Sequence, residues 1–182
     1  LRDHAPVHYE TAAYGKWHLE SKASAVPCPM LLHGFDSFDG TLYAEGPFYC
    51  NWDELLCPGD GTTIVNPDYM TSALFDQAIA WIDTRQGPWL CYFAPESPYH
   101  FPHYPPTSQQ SIVQGAACDL CDHFDRTCWN AAVQAFDTKL GELVASLGPG
   151  WWNHTTIVFT ADNGTPNNVN TYWPNGAKGK LT

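Results

Sequence analysis

Apolar positions change their spacing several times along this chain, and each change marks a different element. After Pro67-Asp68, which suits a helix start, Leu74, Phe75, Ala78, Ile79 and Ile82 recur at helical spacing. The spacing predicts a helix from 67 to 85 with one buried face, stopped by Gly87-Pro88. Trp89-Leu-Cys-Tyr-Phe-Ala94 is almost continuously apolar, as expected of a strand buried on both faces. A proline-rich loop follows from Pro95 to Pro106. A second helix is predicted from Asp125 to Leu147, with Val133, Phe136, Leu140, Leu143, Val144 and Leu147 as its stripe. Gly148-Pro149-Gly150 ends it. Thr156-Ile-Val-Phe-Thr-Ala161 reads as another buried strand and runs directly into Asp162-Asn163-Gly164. Residues 1–14 read as the end of a helix leading to a short strand before Gly15. Residues 20–66, where turn formers interrupt every apolar run, read as long surface loops with short strands.

Helices that alternate with buried strands predict an α/β domain, with a largely parallel central sheet flanked by helices. In such sheets ligands sit beyond the carboxyl ends of the strands. The polar clusters after Ala94 and after Ala161 both fall at that predicted edge.

Composition narrows the class. The 182 residues are 44% hydrophobic and 14% aromatic, enough to bury a core and too apolar for a disordered chain. No apolar run approaches the length of a membrane span, and Leu-Arg-Asp-His opens no signal peptide. Eight Lys and Arg against nineteen Asp and Glu give a formal net charge of −11, which argues against a nucleic-acid partner. An anionic small substrate stays compatible, because a few local cations override the global field. Seven cysteines tilt toward an oxidising compartment and leave at least one thiol unpaired within the chain. Cys50 and Cys57 bracket a polar loop that a disulfide can close. Cys118, Cys121, His123 and Cys128 have zinc-like spacing, but acidic neighbours and the lack of a second cluster favour a local disulfide. Asn153-His-Thr is a glycosylation sequon, a triplet that also arises by chance.

Four clusters carry candidate chemistry. Lys16 and His18 alternate, so on an extended segment they face one side, where a cation and an imidazole can bind an oxyanion and move a proton. Equally, they are a surface lysine and an ordinary histidine beside a core tryptophan. His100 and His103 lie in a loop stiffened by prolines, which can hold a proton donor or simply pack aromatics. Asp162 and Asn163 offer two hard oxygen ligands suited to calcium or magnesium, although Asp-Asn-Gly is also good turn chemistry. Lys178 stands between glycines that let backbone approach an anion, or in a solvated tail.

Taken in order, these clusters resemble the sulfatase family of the alkaline-phosphatase-like superfamily. Gly15-Lys-Trp-His-Leu19 resembles its most characteristic internal motif, and Gly34-Phe-Asp-Ser-Phe-Asp-Gly40 the segment that follows it. His100-Phe-Pro102 with Pro106 matches its His-x-Pro-x-x-x-Pro loop. Asn153 to Gly164 is similar to the strand that delivers metal ligands, and Gly176-Ala-Lys178 to the segment that brings the last active-site lysine.

The resemblance implies a sulfuric ester hydrolase, arylsulfatase-like, whose substrate is an aryl sulfate or a sulfated sugar. It implies a formylglycine nucleophile and a calcium ion, with magnesium the alternative. It assigns Lys16 to the formylglycine and a sulfate oxygen, and His18 to proton removal when the sulfated intermediate collapses. It assigns His100 to the sulfate and the departing oxygen, with His103 the rival, and Lys178 to neutralising sulfate charge. Asp162 and Asn163 become metal ligands. Glu20 departs from the family's usual glycine, and Lys180 is a weaker rival to Lys178. The family's Cys/Ser-x-Pro-x-Arg motif and aspartate pair belong upstream of Gly15, so the expectation is a single partial catalytic domain over 1–182, truncated at both ends and inactive alone. A secretory route, lysosomal or extracellular, accompanies it. Two other readings remain: a non-catalytic paralogue that binds sulfated glycans, and a phosphoester hydrolase of the same superfamily.

Overall fold

The computed structural model describes residues 6–19, 27–43, 49–99, 103–121, 126–162 and 164. The chain divides into two compact units, 1–96 and 97–182.

The first unit is built on a five-stranded mixed sheet. Its strands are β1 (Glu10–Lys16), β2 (Ser37–Thr41), β3 (Trp52–Cys57), β4 (Thr63–Asn66) and β5 (Trp89–Ala94), in the order β4-β3-β2-β1-β5. β1 runs parallel to β2 and to β5, whereas β3 is antiparallel to both β2 and β4. The expectation of a largely parallel sheet therefore holds for the β2-β1-β5 half alone. Antiparallel pairing needs only short connections, and the turn-rich stretch between β2 and β4 supplies them.

Residues 6–9 are not helical, and the strand expected just before Gly15 begins at Glu10. The run 20–66 is more than surface loops. It also holds a short helix, α1 (Pro29–Leu32), and much of the core. Met30, Phe38, Leu55 and Cys57 pack with Ala13 and Trp17 on one face of the sheet. The Gly-Phe-Asp segment has a structural task. Asp36 Oδ2 accepts from the Thr11 amide at 2.9 Å, and the Asp36 amide donates to Thr11 O at 2.8 Å. That exchange sets the register of β2 on β1 before the ladder starts.

The opposite face is covered by α2 (Met70–Asp83), which starts three residues later than Pro67 suggests. Met70 N donates to Tyr49 O at 2.7 Å. Leu74, Phe75, Ala78 and Ile82 are buried, as their spacing predicts. Leu74 joins Trp52, Met70 and Ala73 in a second core. Full burial of side chains such as Leu74 and Phe75 stabilises by about 1.5–3 kcal/mol each. A polar group is buried in this layer too: Glu54 accepts from Asn66 Nδ2 at 2.9 Å and Gln77 Nε2 at 2.6 Å. β5 forms where the apolar run predicts, but it is an edge strand of the described sheet. Leu90 and Tyr92 are exposed, so burial on both faces is not achieved.

The second unit is organised by α3 (Arg126–Ser146). Its buried face is Cys128, Ala131, Ala132, Ala135 and Lys139 rather than the larger residues of the predicted stripe. Val133 is exposed, and Phe136, Leu140, Leu143, Val144 and Leu147 are only partly covered. Small side chains permit close approach, and the preceding loop takes that position. Thr138 Oγ1 donates to Gln109 O, and the Ser111 amide to Gln134 Oε1. The Gln110 side chain holds the loop together, accepting from the amides of Ile112 and Val113 and donating to Val113 O. After a single 3-10 turn at Trp151–Asn153, residues 156–161 form no strand. Val158 and Phe159 are 84% and 70% exposed, so the predicted buried strand is overturned here. No described strand offers these residues a ladder partner, and β propensity without pairing does not make a strand.

Disulfides also depart from the expected pairing. Cys57 bonds Cys28, not Cys50. Cys121 bonds Cys128 as a local disulfide, which removes thiolates from the zinc alternative. Cys50 and Cys118 are disulfide-bonded as well. Cys91 is the free thiol, and burial pushes it up to about 12, away from the reactive thiolate.

Candidate active site

The carboxyl edge of the parallel half of the sheet gathers the exits of β1, β2 and β5. Lys16 is the last residue of β1 and pairs in register with Thr41, the last residue of β2. Backbone pairing continues past the strand ends: Trp17 N donates to Thr41 O and His18 N to Leu42 O, both at 2.9 Å. Trp17 is buried and packs edge-on against Phe35 and Phe38. It thereby anchors the segment between the two polar residues. Lys16 is half-buried and His18 exposed.

The alternation argument for these two residues fails in detail. His18 has φ +51°, in the left-handed region, so the strand's alternation stops before it. Its ring meets Tyr43 edge-on, with centroids 6.3 Å apart. The two groups are placed at one sheet edge by the β1–β2 exit and not by a shared strand face.

Two glycines let these strands approach. A Cβ on Gly40 would lie 2.0 Å from Gly15 O, and one on Gly15 would lie 2.2 Å from Ala94 O. Gly15 also has φ +94°, which a side chain strongly disfavours. The Gly-Lys-Trp-His string therefore starts with glycine for a backbone reason.

Thr41 and Glu96 also lie at this edge, and the sequence reading did not single them out. Thr41 Oγ1 donates to Glu96 Oε1 at 3.0 Å, and both residues are buried. The available signal was a carboxylate two residues past an apolar strand, at the edge where ligands gather.

Beneath this edge, on the face covered by α2, Asp39 pairs in register with Tyr14 and with Leu56. Burial, followed by the nearby Glu54 carboxylate, raises Asp39 to about 6. Tyr14 is raised as well, by burial first and then by Asp39. These groups lie within the first unit and resemble a buried acidic layer more than a catalytic pair.

The remaining sequence-predicted residues are less completely described. His103 is buried in the second unit and forms an isolated bridge with Leu120. Tyr104 N donates to Asp119 O and Cys118 N to Tyr104 O, so this stretch is firmly paired. Asp162 is exposed at the end of the unpaired ribbon. His100, Asn163, Lys178 and Lys180 lie outside the described residues, as do Glu20 and His123. Among the described residues, no group of three or more His, Cys, Asp and Glu side chains is placed to hold a metal ion. Nor is any described helix long and apolar enough to cross a membrane.

Comparison with known proteins bears on this edge. A family model described as Sulfatase matches residues 6–182. An uncharacterised sulfatase, YdeN of Escherichia coli K12, is 30% identical over 86% of this chain and 31% of its own length. Arylsulfatase J of Mus musculus is 25% identical over 95% of this chain and 30% of its own. The chain thus spans about a third of the length of the curated relatives it matches. Among solved structures, the crystal structure of Ps i-CgsB in complex with k-i-k-neocarrahexaose aligns at TM-score 0.57 and 20% identity. That alignment covers 76% of this chain and 34% of the other, and is a likeness of fold.

Proposed function

The chain belongs to the sulfatase family, and from that membership we propose that it supplies the sulfate-binding edge of an enzyme hydrolysing sulfate esters. The observation that carries the proposal is the placement of Lys16 and His18 at the carboxyl edge of the parallel strands. Within this proposal Lys16 holds a sulfate oxygen through a charge-assisted hydrogen bond. His18, an exposed imidazole, moves a proton at the reacting oxygens. His100 contacts the departing oxygen and Lys178 neutralises sulfate charge. His103 is the weaker candidate of the histidine pair, because it is buried and its backbone is bridged.

Asp162 and Asn163 are proposed to give two oxygen ligands to a calcium ion, or to magnesium. The exposed Asp162 carboxylate is a hard donor open to a cation, but two ligands do not complete a calcium shell. When bound, such an ion polarises a sulfate oxygen. The formylglycine nucleophile is proposed to come from polypeptide upstream of Leu1. The substrate class is an aryl sulfate or a sulfated sugar. The disulfides fit a secretory route, and Asn153 is exposed in its sequon, open to a glycan.

Titration of the chain with sodium sulfate, followed by NMR, tests the proposal. The expected result is saturable shifts of the Trp17 and His18 amides and the His18 ring, lost in Lys16→Ala. A stronger response to phosphate than to sulfate supports the phosphoester reading instead. Unmoved signals refute an oxyanion site at this edge. The chain alone is expected to release no aryl alcohol from an aryl sulfate, and turnover by it would contradict the view that its catalytic set is incomplete.

A further inference from the structure

Strand order places β1 between β2 and β5. The Thr41–Glu96 hydrogen bond therefore joins the last residue of β2 to the segment that leaves β5, two residues past its end, and these are the strands that flank β1. It lies at the level where β1 ends, because Thr41 is in register with Lys16, and Gly15 with Ala94. Thr41 is 1% exposed and Glu96 7%, so water does not compete for the contact. On the backbone side, Thr41 O accepts from Trp17 N. Thr41 thus grips the β1 exit through its carbonyl and the β5 exit through its hydroxyl. The glycines at 15 and 40 leave the backbones close enough for this bridge to form.

We propose that Thr41 and Glu96 are positioning residues that set the geometry of Lys16 and His18. The inference rests on the reading of Lys16 and His18 as the anion site. Neither Thr41 nor Glu96 needs to touch substrate. Their hydrogen bond fixes the exit of β1, and the ammonium and imidazole are carried on that exit. A burial role alone would not call for a carboxyl at position 96: burying it costs free energy, and the hydroxyl partner offsets part of that.

The experiment uses the 182-residue chain with Thr41→Val, which keeps the shape and removes the hydroxyl, and Thr41→Ser, which restores it. Three readouts are taken: sulfate affinity by NMR titration, the His18 ring and Lys16 side-chain signals without ligand, and the melting temperature. Thr41→Val is expected to weaken sulfate binding about five-fold, equivalent to the net contribution of one hydrogen bond, about 1 kcal/mol. It should also move the His18 and Lys16 signals, and Thr41→Ser should return both. Glu96→Ala is the second route to the same loss should the valine variant not fold, while Glu96→Gln, which keeps an acceptor, should retain most of the wild-type behaviour. A lower melting temperature with unchanged His18 and Lys16 signals overturns the proposal, since the pair would then be a structural brace. If the wild-type chain binds no sulfate, the anion-site reading fails, yet the ligand-free His18 and Lys16 signals still decide whether the pair positions them.

Discussion

Replacing Asp39 by Asn is expected to stabilise the first unit at neutral pH and to leave it unchanged in acid. Asp39 lies on the sheet face covered by α2, in register with Tyr14 of β1, with Glu54 of β3 nearby. Its carboxyl is raised from 3.8 to about 6, by burial first and then by the Glu54 carboxylate. The neighbouring titratable groups are Glu54 on β3, Tyr14 on β1 and, acting on Tyr14, Cys91 of β5 and Arg85 after α2. None but Arg85 is a cation. The folded state therefore binds the Asp39 proton more tightly than the unfolded state does. This contribution is fully present below pH 3.8 and is lost as pH rises through about 6. A separation of about two pH units corresponds to a ceiling near 3 kcal/mol. Asp39 is only partly buried, and solvent screening reduces the expected loss to roughly 1–2 kcal/mol. Asn carries no charge and matches the protonated acid in shape. The variant should thus melt higher by about 3–6 °C at pH 7.5 and equal the wild type at pH 4. Thermal unfolding followed by tryptophan fluorescence, at half-unit steps between pH 4 and 8, reads the difference. A constant offset between the two proteins across that range would refute a titrating origin. A variant less stable at pH 7.5 would show that the charged carboxylate is favourable where it sits.

Other consequences follow from the backbone and the disulfides. Gly40→Ala puts a methyl group 2.0 Å from Gly15 O, a contact that flexible side chains cannot relieve. The expected cost is about 3 kcal/mol or more, read as a lower urea midpoint, and a midpoint within error of wild type would disprove the close approach of β1 and β2. Cys28 and Cys57 are 29 residues apart, so removing both cysteines as serines should cost about 3–4 kcal/mol by loop-closure entropy. Differential scanning calorimetry under oxidising conditions checks this, and an unchanged melting temperature would count against the bond as a structural tie. Leu74→Ala empties a fully buried site under α2 and should cost about 2–5 kcal/mol, read as a lower urea midpoint, and an unchanged midpoint would contradict tight packing there.

The elements most legible in the sequence were those whose side-chain period is repeated often enough to be unambiguous. Leu74, Phe75, Ala78 and Ile82 announce the buried face of α2. The apolar run 89–94 announces β5, but nothing local says that β5 is an edge, because that depends on strand order. The stripe chosen on α3 misled for a different reason. Large residues outweigh alanines in any hydrophobic count, whereas helix packing here uses Ala131, Ala132 and Ala135, where the neighbour comes close. In 20–66 the turn formers masked core residues such as Trp52 and Leu55, since strands of four to six residues give too short a period to read. The pairing of Cys28 with Cys57 is a tertiary fact that spacing does not encode. At the candidate site, the identities of Lys16 and His18 were visible. The left-handed turn at His18 and the Thr41–Glu96 bridge were not, because both depend on what lies across the sheet.

The unpaired ribbon at 156–161 has a practical consequence for anyone handling this chain. Exposed backbone outside helices and ladders is where proteases cut, and ordered ladders ordinarily deny it to them. Phe159, 70% exposed and facing Phe136 of α3, is an aromatic cleavage point of the kind chymotrypsin prefers. A single cut there would sever the covalent link between α3 and the C-terminal stretch carrying Asp162, Asn163 and Lys178. One nick would thus divide the proposed chemistry in two, with Lys16 and His18 on the large piece and the candidate metal ligands on the small one.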